Sequence, residues 1–118
     1  MQLTGNYEYD LNQMDQALNV KRSFDIIRRE FINMNGKKCV LYAIDGLVKD
    51  TVLTETLNFF MRFDGESGKE IAAIPYIETT NMNLYDDIKN AVFKGGTAII
   101  REQCLNAAII YSLSLIHI

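Results

Sequence analysis

Asp45 is the residue best placed for chemistry in this 118-residue chain. It follows an unbroken apolar run, Cys39-Val40-Leu41-Tyr42-Ala43-Ile44, and precedes Gly46. A carboxylate at the exit of a buried strand is a common place for ligand or catalytic work in α/β proteins. The plainer role is a turn, because glycine tolerates backbone angles that other residues avoid, and it is the reading preferred here. A cleft gathering Asp45, Glu78 and Arg101 would favour a ligand site instead. Asp86-Asp87 could hold a cation, yet favourable charge in the first turn of a helix accounts for both. Lys21-Arg22, Arg28-Arg29 and Lys37-Lys38 form a basic cluster across a hairpin. With no interleaved aromatics beyond Phe24 and Phe31, it reads as a solvated face rather than a phosphate site.

Other constellations fail on composition or spacing. The single histidine, His117, lies in the last residues, so no triad, zinc site or neutral-pH general base can be assembled around it. Two isolated cysteines make no zinc motif. Gly68-Lys69 lacks the earlier glycine of a P-loop, where Phe63 stands, and Glu70 replaces the Ser or Thr. Lys38 after Gly36 fails in the same way, and Gly36 with Gly46 makes no dinucleotide fingerprint. No catalytic, cofactor-binding or metal-binding residue is therefore assigned, and a non-enzymatic role is expected. Cys39 reads as a small core residue. Nothing in the spacing calls for a Cys39–Cys104 disulfide, and isolated cysteines fit a reducing compartment. At 48% hydrophobic and 23% charged, with net charge −3, the chain has the composition of an ordinary globular domain. That charge gives no reason to expect nucleic acid as a partner. The start of the chain lacks a signal-peptide pattern, and no apolar stretch reaches the ~20 residues that span a bilayer.

The elements that would position these residues follow from periodicity. Residues 6–18 predict a helix, with Asn6 as N-cap, Glu8 and Asp10 placing negative charge in the first turn where the helix dipole favours it, and Tyr7, Leu11, Met14 and Leu18 on one face. Residues 24–32 alternate imperfectly and also fit a helical face; the Asn35-Gly36 that follows decides for a strand hairpinned to residues 37–44. Residues 50–62 predict a helix with Asp50 as N-cap and Leu53, Leu57, Phe60 and Met61 facing the core. Phe59 and Phe63 belong with that core; exposure of either would mark a partner surface. Residues 76–80 suit a short edge strand near Pro75. Residues 84–93 predict a helix capped by Asn83 and closed by Gly95-Gly96, with Leu84, Ile88, Ala91 and Val92 buried. Residues 97–101 and 107–112 read as a second hairpin. The expectation is an α/β domain with a small mixed sheet of four or five strands flanked by helices, in the order α-β-β-α-β-α-β-β.

Residues 113–118 read LSLIHI. This is a direct translation of a transposon adapter used in preparing DNA sequencing libraries. A native strand continuing the hairpin is the alternative. The adapter reading sets His117 aside, makes residues 1–112 the domain, and makes the chain an N-terminal piece of a longer protein.

Ile27-Arg28-Arg29-Glu30-Phe31, Ile44-Asp45-Gly46-Leu47-Val48-Lys49-Asp50, Gly95-Gly96-Thr97 and Ala108-Ile109-Ile110 carry a resemblance. The chain looks like the N-terminal region of spore germination proteins of the GerA family, over residues 6–112. Arg29 is an extra residue inside the "IREF"-like strand, and Ala43 separates Tyr42 from Ile44. The family's continuation after the last strand, with its proline and arginine, is replaced by LSLIHI. The resemblance implies a soluble subdomain of a germinant-receptor A subunit, lacking a cofactor and acting in assembly and signal relay. It also implies B and C subunits as partners and a homo-oligomer, thought to be a ligand-gated ion channel, while the B subunit holds the nutrient. A second soluble subdomain and membrane helices, outside this chain, would set the whole protein in the spore inner membrane. The alternative is a small cytosolic α/β ligand-binding or regulatory domain.

Overall fold

The computed structural model describes residues 1–20, 25–62 and 77–112. Its elements run α1 (Tyr7–Ala17), β1 (Ile26–Ile32), β2 (Lys38–Ile44), α2 (Asp50–Arg62), β3 (Ile77–Met82), α3 (Tyr85–Phe93), β4 (Thr97–Arg101) and β5 (Ala107–Ser112). The order matches the sequence expectation. Residues 21–24, 63–76 and 113–118 lie outside the described set, and with them Lys21, Arg22, Phe24, Phe63, Pro75, Tyr76 and the adapter-like tail.

The strands form one five-stranded sheet in the order β1-β2-β4-β5-β3. Where the sequence suggested a mixed sheet, all four ladders are antiparallel. Two hairpins, β1-β2 and β4-β5, are joined side by side through β2 and β4. The unbroken apolar run makes β2 an interior strand. Val40 and Tyr42 face α1 and α3, together with Ala98, Ile100 and Ile109. Leu41 and Ala43 face α2, together with Ile99, Ala108 and Ile110. Period-two alternation thus feeds two separate cores, and each fully buried Leu or Ile contributes ~1.5–3 kcal/mol. No helix among the described residues is long and apolar enough to cross a membrane.

Local signals hold where turns and caps decide the backbone. Asn6 caps α1, its Oδ1 accepting from Tyr9 N at 3.2 Å. The Asn-Gly hairpin closes with Gly36 at φ +79 and Gly36 N donating to Asn33 O at 3.0 Å. Asn33 Oδ1 accepts from the N–H groups of Asn35 and Lys37. Gly95, at φ +100, ends α3. Strand β3 lies at the sheet edge, where proline nearby pointed.

Two helix starts and two buried faces differ from expectation. Helix α3 begins at Tyr85, and its N-cap is Leu84, which makes no side-chain cap bond. Asn83 is not the cap because the chain's first residues pair with this segment. Gln2 bridges Leu84, Leu3 N donates to Asn83 O at 2.8 Å, and Tyr85 N donates to Met1 O at 3.0 Å. Leu84 is consequently exposed, and Tyr85 takes its place in the core. In α2, Leu53 N donates to Lys49 O at 3.1 Å, which puts Asp50 inside the first turn rather than at the cap. The buried stripe of α2 centres on Thr56 and Phe60, flanked by Val52, Leu53, Leu57 and Phe59. Met61, about 100° round the helix from Phe60, is exposed.

Two substitutions test this packing. A Cβ at Gly96 would lie 2.9 Å from both Ala91 O and Tyr111 Cε1. Gly96→Ala is expected to destabilise the fold by ~1–3 kcal/mol in urea denaturation. The Thr56 hydroxyl is buried without a hydrogen-bond partner among the described residues. Thr56→Val removes a desolvated polar group at nearly constant shape and is expected to raise stability by about 1 kcal/mol. A lowered midpoint for Thr56→Val would contradict the packing described here.

Candidate functional site

The structure disperses the residues that the sequence offered for chemistry. Asp45 is exposed, and its N–H donates to Asp25 O at 2.7 Å in the turn out of β2. Arg101 is 3% exposed and lies opposite Cys39, six residues back along β2 from Asp45. At ~3.3 Å per residue the two are about 20 Å apart. Glu78 lies on the edge strand β3, two strands further across the sheet than β4. Among the described residues, no cleft joins Asp45 to Arg101. Arg101 instead sits over the Phe60 ring, 5.7 Å from its centroid. Asp86 pairs loosely with Lys89 at 3.7 Å, and the described residues contain no cluster suited to a metal. Phe60 is fully buried and meets Phe59 edge-on, with ring centroids 5.4 Å apart. Both cysteines are buried, and neither forms a disulfide.

Among the described residues, Arg28 and Arg29 of the basic cluster do not share a face. Strand alternation sends Arg28 toward α1 and Arg29 toward α2. Arg28 Nε donates to Asp15 Oδ1 at 2.9 Å, and its Nη1 donates to Glu30 Oε2 at 3.2 Å. Burial works against the charge on Arg28, but the Asp15 carboxylate outweighs it and holds the guanidinium above its usual range. Lys38 reaches Glu8 at 3.8 Å.

A different set of polar groups, not singled out by sequence reasoning, seats α1 and the first residues on the sheet. Asp10 is 1% exposed, and its carboxylate accepts from Thr4 N, Thr4 Oγ1, Gly5 N and the Tyr85 hydroxyl, the last at 2.7 Å. The Tyr42 hydroxyl donates to Asp15 Oδ1 at 2.6 Å. The Tyr7 hydroxyl contacts Glu30 Oε1 at 2.9 Å and Cys39 O at 3.1 Å. Burial, reinforced by the neighbouring carboxylate, pushes all three phenols well above the ordinary tyrosine range. The one signal in the sequence was Asp10 itself, which looked like first-turn helix charge. These bonds join fixed elements, so their chemistry is structural.

One groove has an arrangement suited to binding. It lies between α2 and the edge strand β1, encloses about 310 Å³, and is lined by Ile27, Leu41, Leu53 and Leu57 with Arg29, Asp50 and Thr54. Its floor is apolar, and it carries one cation and one carboxylate. That set can hold or orient a partner group.

The three buried phenols set the alkaline limit of the fold. Unfolded tyrosines lose their protons near pH 10, whereas the folded chain keeps these three. Their contribution to stability is therefore level below about pH 10 and falls as pH rises above it, by up to ~1.4 kcal/mol per unit for each tyrosine. Tyr42→Phe should flatten that decline, as read from urea midpoints across alkaline pH. An unchanged slope would contradict the burial described for this phenol.

Comparison with known proteins sets this architecture in context. Residues 12–115 match the model of the Bacillus/Clostridium GerA spore germination protein family. No curated protein matches the chain by sequence. Among solved structures, the chain is similar to the N-terminal domain of the A subunit of the Bacillus megaterium spore germinant receptor GerK3. The TM-score is 0.70 at 17% identity, covering 93% of this chain and 94% of that one. At that identity the likeness establishes the fold, and the family match, spanning most of the chain, establishes kinship: the chain belongs to the GerA spore germination protein family.

Proposed function

We propose that this chain is the N-terminal domain of a germinant-receptor A subunit, a non-enzymatic domain that contributes to receptor assembly and relays the nutrient signal. The observation that carries the reading is the agreement of family and fold over nearly the whole chain. In this reading residues 1–112 are the domain, and residues 113–118 are foreign to it. The native chain continues into a second soluble subdomain and membrane helices. The domain works with the receptor's B and C subunits, and with further copies of itself, at the spore inner membrane. The polar groups described above support it, since they brace helices against the sheet rather than converge on a reacting atom. The groove beneath α2 favours a second reading, a small ligand-binding or regulatory α/β domain.

The uninterrupted locus separates the two. Sequenced from source DNA past the codon for Ser112, the frame is expected to lose LSLIHI and to run on into hydrophobic spans of ~20 residues. Spores lacking the locus are expected to lose their response to a subset of nutrients while still germinating under a physical trigger. A stop codon after Ile118 in native DNA, or an undiminished nutrient response, would overturn the receptor reading and leave the regulatory domain.

A further inference from the structure

We propose that β1 is a self-association surface, its outer edge pairing antiparallel with the same edge of a second copy about a twofold axis at Arg29. This deepens the receptor reading, in which copies of the domain work together, by naming the surface on which they meet; the strand pairing is tested on this chain alone, so its failure is distinct from failure of the receptor reading.

Strand β1 is one of the two edges of the sheet. Its inner bonds run to β2: Asp45 N donates to Asp25 O, and Asn33 N donates to Lys37 O. Backbone bonding alternates along an antiparallel strand. Ile27, Arg29 and Phe31 therefore bond inward, and the N–H and C=O groups of Ile26, Arg28, Glu30 and Ile32 face the open edge. Among the described residues, none bonds to that edge.

The residue order is self-complementary. With the axis at Arg29, Arg28 lies opposite Glu30 of the second copy, and Glu30 lies opposite its Arg28. Ile26 meets Ile32, and Ile27 meets Phe31. Residues that bond outward then stand opposite residues that bond outward, as the ladder requires. Opposite charges facing each other across a ladder stabilise it, and like charges destabilise it. Moving the axis by one residue sets Arg28 or Glu30 against its own copy. At the axis the two Arg29 side chains stand as like charges on the α2 face, a local cost to the pairing, with Asp50 lining the groove on that same face. Ile32, 62% exposed in the single chain, gains an apolar neighbour. Five strands from each copy become one continuous sheet. Charge along an edge is also the usual device against such pairing, which is why solution behaviour decides.

Sedimentation equilibrium of the full chain is expected to show a monomer–dimer equilibrium. Ile32→Pro removes only an outward N–H, a position an edge strand tolerates. Glu30→Arg turns both cross-strand charge pairs repulsive. Both variants are expected to sediment as monomers, with the far-UV circular dichroism of Ile32→Pro unchanged. Arg29→Cys provides a readout that does not depend on lost association. Opposed residues at a non-bonded position are ~4.5 Å apart at Cα, within reach of a disulfide. It is expected to cross-link to itself on oxidation, and Arg28→Cys is not. A chain that stays monomeric at every concentration overturns the proposal. So does a dimer undiminished in both Ile32→Pro and Glu30→Arg, or an Arg29→Cys chain that does not cross-link.

Discussion

Everything in this fold depends on a strand that has no exposed side. Residues 39–43 of β2 are buried on both faces, so the chain must supply cover from two directions. It does so with α1 and α3 on one face and α2 on the other. The two cores are not equivalent. The α1/α3 core is the larger and includes Leu3 from the first residues. The α2 core is smaller and leaves a groove beside β1, where Ile27 and Leu57 are half-covered. Structural rigidity and room for a partner therefore fall on opposite faces of one sheet.

The tighter face is held by more than apolar contact. Asp10, Asp15 and Glu30 each meet a tyrosine hydroxyl from a different element. A buried carboxylate is costly unless its lone pairs are filled, and Asp10 fills its own with four donors. Such bonds fix where a helix sits along a sheet, which uniform apolar packing does not. For a domain whose proposed work is to pass on a conformational signal, fixed helices are useful, since displacement is transmitted rather than absorbed.

The legible parts of this architecture were those written in neighbouring residues. Asn35-Gly36, Gly95-Gly96 and the apolar run of β2 act within a few positions, and their turns, helix end and buried strand appear where the sequence put them. Asn83 misled because its neighbourhood is completed by Met1 and Leu3, some 80 residues away. Asp10 was read as helix-dipole charge because its partner Tyr85 is 75 residues distant. Arg28-Arg29 looked like a patch in one dimension; period-two alternation separates them, and that reason was available from the sequence once the strand was assigned. The groove was invisible because Arg29 and Asp50 come to line one cavity only after β1 and α2 are packed.

The central seam of the sheet has a consequence for synthesis. Cys39 pairs with Arg101 and Tyr42 with Ala98, so β2 finds its second neighbour about 60 residues later in the chain. A ribosome adding ~5–20 residues per second takes roughly 3–12 s to deliver that neighbour. During that interval the β1-β2 hairpin, which is locally encoded, can form with Val40, Leu41 and Tyr42 on a strand still open along one side. An apolar strand of the nascent domain is thus open along one side during that interval, and escape from aggregation rests on how soon β4 arrives to close it.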